Sequence, residues 1–217
     1  MSDERLSDNF FLIVHDEFTG KLRVSHDLLE CGLVVAQVAE LISVGRLGMV
    51  GDRVLVRDPG SGAAAGVDEI SAFVVDSVGR QSRPHSVRTW IETLGSPLFE
   101  LVARRLMDRG VLRRESGRGL LMRRPDRFPA VNLLAAARPQ IRLEHMLTTP
   151  TEFDLAGAVT ASVINVLGIG NVLDPTLDRA ATKAVIDRLH GHLPSQLRML
   201  LKGAEAAVAA VSLTVRR

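Results

Sequence analysis

The stretch HDLLECGLVVAQVAELISVG, residues 26–45, reads as a helix that is apolar on almost every side. Leu28, Leu29, Leu33, Val34, Val35, Ala36, Val38, Ala39, Leu41 and Ile42 leave only Glu30, Gln37 and Glu40 as a thin polar stripe. A helix with so narrow a solvent face belongs inside a core. Gly45 stands where a left-handed residue ends such a helix. The expected architecture is therefore organised around His26–Val44.

Working outward, Phe10–Val14 is a short apolar block with Ser7 and Asp8 as expected caps, and helix and strand both stay open there. Residues 1–9 are expected to be flexible, and Phe18-Thr19-Gly20-Lys21 to be a turn. On the other side, Arg46–Val50 and Arg53–Arg57 flank Gly51-Asp52 as a hairpin. A loop over Asp58–Gly66 follows, then helices over Val67–Val78 and Ser86–Leu94. Ser96-Pro97 predicts a fresh helix start, with Ser as N-cap and Pro at the first position. That helix runs to Asp108 and stops near Gly110. Val111–Glu115 and Leu120–Arg124, around Ser116–Gly119, predict a second hairpin. Helix, glycine and hairpin thus occur twice, at Leu41–Arg57 and Leu106–Arg124. Four more helices are expected over Asn132–Leu147, Thr151–Leu167, Pro175–Leu189 and Pro194–Val215, since proline is tolerated at helix starts. The fold class is mainly α: a single-domain helical bundle over residues 1–217, decorated with small β-hairpins.

The chain has 217 residues, 46% of them hydrophobic, enough for a core without covalent staples. Aromatics are only 4%, with one Trp and no Tyr, so aliphatic side chains must fill that core. Cys31 is the only cysteine, which rules out an intrachain disulfide and points away from an oxidising compartment. The mixed-charge start MSDER lacks the pattern of a secretory signal. Leu155–Gly170 and Ala206–Val215 fall short of the roughly 20 apolar residues of a membrane span. The expected location is the cytoplasm.

Catalytic and metal chemistry find little support. His190-Gly191-His192 lacks matched ligands for a structural zinc. His15-Asp16-Glu17 and His26-Asp27 have no nucleophile motif to serve and read as turn and cap residues. Gly60, Gly62 and Gly66 miss the spacing of a phosphate-cradling loop. No enzyme activity and no cofactor are expected.

The charge is uneven. Between Leu101 and Ala130 stand Arg104, Arg105, Arg109, Arg113, Arg114, Arg118, Arg123, Arg124 and Arg127, against Asp108, Glu115 and Asp126. That segment carries +6, so the rest of a chain of net charge +2 sums to −4. Arginine's planar fork pairs with phosphate in bidentate fashion. Arg104, Arg105, Arg113, Arg114, Arg118, Arg123 and Arg124 are the candidate anion- or lipid-binding residues. Leu120, Leu121 and Met122 sit among them as a candidate membrane-contacting hairpin tip. The same pattern also describes a winged-helix nucleic-acid binder, although Leu98-Phe99-Glu100-Leu101-Val102-Ala103 offers few side chains for reading base edges.

Several pieces, taken in order, resemble the Golgi phosphoprotein 3 family and its bacterial, mainly actinobacterial, relatives. They are Thr19-Gly20-Lys21, Ala39–Leu47, Val67-Asp68-Glu69-Ile70, Trp90–Leu94 and Leu106–Leu112, followed by the arginine hairpin and a helical C-terminal part. The resemblance implies a non-enzymatic peripheral adaptor that binds phosphatidylinositol 4-phosphate. Its implied partners are an anionic membrane surface and the cytoplasmic tails of membrane proteins, with a homo-oligomer as a further expectation. The family's pocket tryptophan falls at Ser25, and its pocket arginines fall at Val34, Ser96 and Phe99. None of the four is retained, so the specific headgroup pocket is expected to be lost.

Overall fold

In a computed structural model the described residues are 5–57, 68–117, 125–149 and 154–214, with side chains described to 210. Among them are eight α-helices and one small antiparallel sheet. The central helix is α2, His26–Ser43, capped by the Ser25 hydroxyl, which accepts a hydrogen bond from Leu28 N. Its twelve buried residues run from Leu29 to Ile42. It is packed by α1 (Leu6–Ile13), α4 (Val87–Asp108), α6 (Leu155–Val166) and α8 (Ser195–Thr214). The remaining helices are α3 (Glu69–Gly79), α5 (Leu133–Thr148) and α7 (Arg179–His192).

The first hairpin forms as expected. β1 (Leu47–Val50) pairs with β2 (Arg53–Val56), with Leu47 opposite Val56 and Val50 opposite Arg53. A short β3 (His85–Ser86) adds to the far side of β2, a partner the sequence did not suggest. Both repeated helix ends share one geometry. Gly45 and Gly110 adopt φ of 75° and 68°, and the following N–H groups, of Arg46 and Val111, donate back to Leu41 O and Leu106 O. Only glycine takes this left-handed conformation without strain.

Four expectations are corrected. Residues 6–9 form the first turn of α1, and Ser7 and Asp8 are buried inside that helix rather than capping it. Ser86–Leu94 and Ser96–Asp108 are one helix, not two: Pro97 lies inside α4. The expected break fails because Thr93, Ser96 and Pro97 face solvent, where water can reach the carbonyl that loses its N–H partner. Meanwhile Trp90, Leu94, Leu98 and Val102, four residues apart, stay buried on one continuous face. In α7, the start is set not by Pro175 but by Asp178, whose carboxylate accepts from Ala180 N and Ala181 N.

The fourth correction concerns the second hairpin. Leu112 pairs with Ala130 and Glu115 with Arg127, so the partner of Val111–Glu115 is 127–130, while the expected return strand Leu120–Arg124 lies outside the described residues. Phe128, only 2% exposed, pins this register by inserting its ring into the core. The strand is held on both edges. Phe128 N and Ala130 N donate to Gly20 O and Glu17 O, while Glu115 and Arg127 exchange hydrogen bonds of 2.9 and 3.0 Å.

A polar ring ties the helices together around α2. Arg105 donates to Ser7 Oγ, Ser7 to Gln37 Oε1, Gln37 to Ser71 Oγ and Ser71 to Asp68 Oδ2, and Asp68 Oδ1 accepts from Arg105 to close the circuit. Asp8 sits beside it at 3% exposure, 2.6 Å from Arg105 and 3.1 Å from Arg109. Arg5 completes the group by bridging Glu40 and Asp68.

Candidate functional site

A cleft of about 670 Å³ opens at the foot of the arginine ribbon. Its floor and walls come from four pieces of chain. His15 follows α1, Leu22 and Val24 lie on the way into α2, Phe99 and Glu100 belong to α4, and Arg114, Asp126, Arg127 and Phe128 belong to the ribbon. The rings interlock. Phe99 meets Phe128 edge-on at 5.7 Å, Phe11 stacks on His15 at 4.2 Å, and His26 closes against Phe99 at 4.8 Å.

His15 is 4% exposed, and its Nδ1 lies 2.7 Å from Phe11 O. A carbonyl can only accept, so the proton sits on Nδ1 and Nε2 is left as an acceptor. Burial pushes the imidazole down to about 4, so it is neutral at pH 7 and offers the cleft no cation.

Arg114 is held more firmly still. It donates twice to Glu100 at 2.9 and 3.1 Å and once to Asp126 at 2.6 Å, with its guanidinium carbon 5.5 Å above the Phe128 ring. Hydrogen bonding to Glu100 and then Asp126 raises its pKa further, and the two carboxylates compensate its charge. The unpaired cations of the cleft are instead Lys21 and Arg127, neither of which makes an ion pair among the described residues. Apolar walls with a cationic rim can hold an amphiphile with an acidic head.

The arginines singled out by sequence therefore separate. Arg105 is an internal tie, 18% exposed, between Asp8 and Asp68. Arg113 pairs with Glu115 at 2.8 Å on the ribbon surface. Arg114 lines the cleft in the compensated state just described. Arg104 is exposed on α4 with no ion pair among the described residues. Arg118, Arg123 and Arg124, with Leu120, Leu121 and Met122, lie outside the described residues, between Gly117 and Pro125. Of the four positions where the resemblance places a headgroup pocket, Phe99 lines the cleft, while Ser25 is exposed between the cleft residues Val24 and His26. Ser96 is exposed on α4, and Val34 is 1% exposed in the core. A cation at Val34 would be buried without a partner, so its loss accompanies an apolar interior there.

Sequence reasoning placed His15 and Lys21 in turns without assigning them to a site, and did not single out Phe128. Phe11 and His15 stand four residues apart where α1 ends, a spacing that was the available signal for their stack. Among the described residues no three His, Cys, Asp or Glu converge as a metal site, and no helix is long and apolar enough to cross a membrane.

These features define a mainly helical protein built on a buried central helix, with an apolar cleft and a basic ribbon at one end. The chain belongs to the Golgi phosphoprotein 3 (GPP34) family, whose pattern matches residues 6–211 and so nearly its whole length. No curated protein matches it.

Proposed function

We propose that this chain is a non-enzymatic protein that docks reversibly on anionic membranes through its cleft and arginine ribbon, and serves there as an adaptor for the cytoplasmic tails of membrane proteins. The observation that carries the membrane reading is the unpaired Lys21 and Arg127 at the rim of an apolar cleft. From that same ribbon departs a segment, 118–124, with three arginines and no carboxylate. The adaptor role rests on family membership. Each basic side chain near an anionic leaflet contributes about 1 kcal/mol. A handful of them gives weak docking that salt screens.

Specific phosphoinositide recognition is not part of this reading, since Ser25, Val34, Ser96 and Phe99 supply no cation. The nucleic-acid alternative is less well served. Leu98, Phe99, Val102 and Ala103, which precede the ribbon, are buried and present no helix face to a groove.

Reversing Arg118, Arg123 and Arg124 to Glu turns three attractive charges into three repulsive ones. In flotation with phosphatidylglycerol-containing vesicles at low salt, the triple variant is expected to lose binding by about a hundredfold or more. Binding equal to that of the unchanged protein, or a shift of random duplex DNA at protein concentrations that leave vesicles unbound, would overturn the proposal.

A further inference from the structure

Away from the cleft, α5 turns an apolar stripe to solvent. Leu134 is 73% exposed and Ile141 59% exposed, seven residues apart on one face of the helix. Val131, 59% exposed, stands just before the helix. Phe18, 71% exposed, is brought beside it because Ala130 N donates to Glu17 O. Large exposed side chains gathered in this way mark an interaction surface.

The exposed charged side chains that α5 itself puts on that face are arginines. Arg138 and His145 fall on the same stripe and Arg142 at its edge, where it pairs with Asp154 at 3.0 Å. The only carboxylate of α5, Glu144, is turned away and accepts from Gln140 Nε2 and Asp174 N. Arg138 makes no ion pair among the described residues. A helix with bulky apolar side chains and an unpaired arginine on one outward face suits the plane of an anionic bilayer.

We infer that the outer face of α5, with Phe18 and Val131, is a second membrane-contact element that lies flat on an anionic bilayer, Leu134 and Ile141 entering the interface and Arg138 meeting lipid phosphate. The inference rests on the membrane-docking reading but not on the arginine ribbon. A second copy of this chain fits the face less well. Antiparallel two-fold pairing centred on the stripe, whose middle is Arg138, would set that arginine against its own counterpart, like charge to like charge.

The test uses the full chain and vesicles of phosphatidylcholine with about one-third phosphatidylglycerol at low salt. The double variant Leu134→Glu, Ile141→Glu is expected to bind at least about tenfold more weakly. Val50→Glu, equally exposed but on β1, should bind as the unchanged protein does. Both should melt normally, because all three side chains point into water. A fluorophore on the thiol introduced by Leu134→Cys should shift to the blue on vesicles and be quenched by brominated acyl chains. Cys31 is buried, with its thiol pushed up to about 12, and stays unlabelled. Unchanged binding of the double variant, with the unchanged protein still docking, overturns the α5 surface and leaves the docking reading standing. Failure of the unchanged protein to bind any vesicle overturns both. A double variant that turns a dimer into a monomer without affecting vesicle binding assigns the face to self-association instead.

Discussion

Replacing Asp8 with alanine is expected to lower the stability of the fold by about 3 kcal/mol. The reason lies in the asymmetry of buried charge. Asp8 is 3% exposed and accepts from both Arg105 and Arg109. Burial pushes its carboxyl above the usual range even though both guanidinium groups pull it down. Desolvation therefore outweighs what the pairing returns, and the intact group adds little net stability. Removing half of it is another matter. Arg105 would remain at 18% exposure with Asp68 as its one carboxylate. Asp68, although partly buried, is held below the usual carboxylate range by Ser71 and the nearby arginines, and so is already engaged. The expected result is a lower urea midpoint with an unchanged slope. Replacing Asp8 and Arg105 together with leucine and methionine should cost less than Asp8→Ala alone, because Asp68 keeps Arg5 and Ser71, Arg109 is 43% exposed, and no well-buried charge loses its only partner. A loss below about 1 kcal/mol for Asp8→Ala would contradict this account of the ring.

The second large effect is a loss of stability in mild acid that depends on His15. Its folded value of about 4 lies below the ordinary 6.5. Between these values the unfolded chain binds a proton that the folded one refuses. Stability is thus fully present above pH 6.5 and is lost as the pH falls toward 4, by about 3 kcal/mol in all. Asp8 and Glu30, whose carboxyls burial raises, act in the opposite sense near the bottom of this window. Their contribution is common to the unchanged protein and a His15→Phe variant, and cancels in the difference. The variant keeps a ring against Phe11 and Phe128 but cannot titrate. Unfolding free energy measured from pH 7 to 4.5 should fall more steeply for the unchanged protein. Parallel curves would show that His15 is not neutral in the fold.

Much of the architecture was legible in the sequence because its signals are local. The apolar run of α2, the glycine ends at Gly45 and Gly110 and the turn Gly51-Asp52 need no knowledge of distant partners. Pro97 misled because helix continuity in α4 depends on burial of the opposite face, which no window around a proline reveals. The second hairpin misled for a similar reason, its register being set by Phe128 meeting Phe11 and Phe99. The site was less legible. Summing charge along residues 101–130 counts Arg105 and Arg114 as available. Yet Arg105 is matched by Asp8, 97 residues earlier, and Arg114 by Glu100, just outside that window. Lys21 went unassigned because one lysine in a turn carries no pattern, and it joins Arg127 only when the ribbon folds over the 17–20 turn.

What remains after these internal pairs is a smaller set of cations than the sequence suggested, placed beside apolar surface. On the membrane reading proposed above, that combination would tie docking to lipid charge rather than to the shape of one headgroup. The most direct test is flotation of the unchanged protein with two vesicle types, pure phosphatidylcholine and phosphatidylcholine with phosphatidylglycerol, at low and at high salt. Binding to the anionic vesicles alone, falling steeply as salt rises, is the predicted result. Equal binding to both vesicle types, or binding that salt leaves untouched, would contradict it.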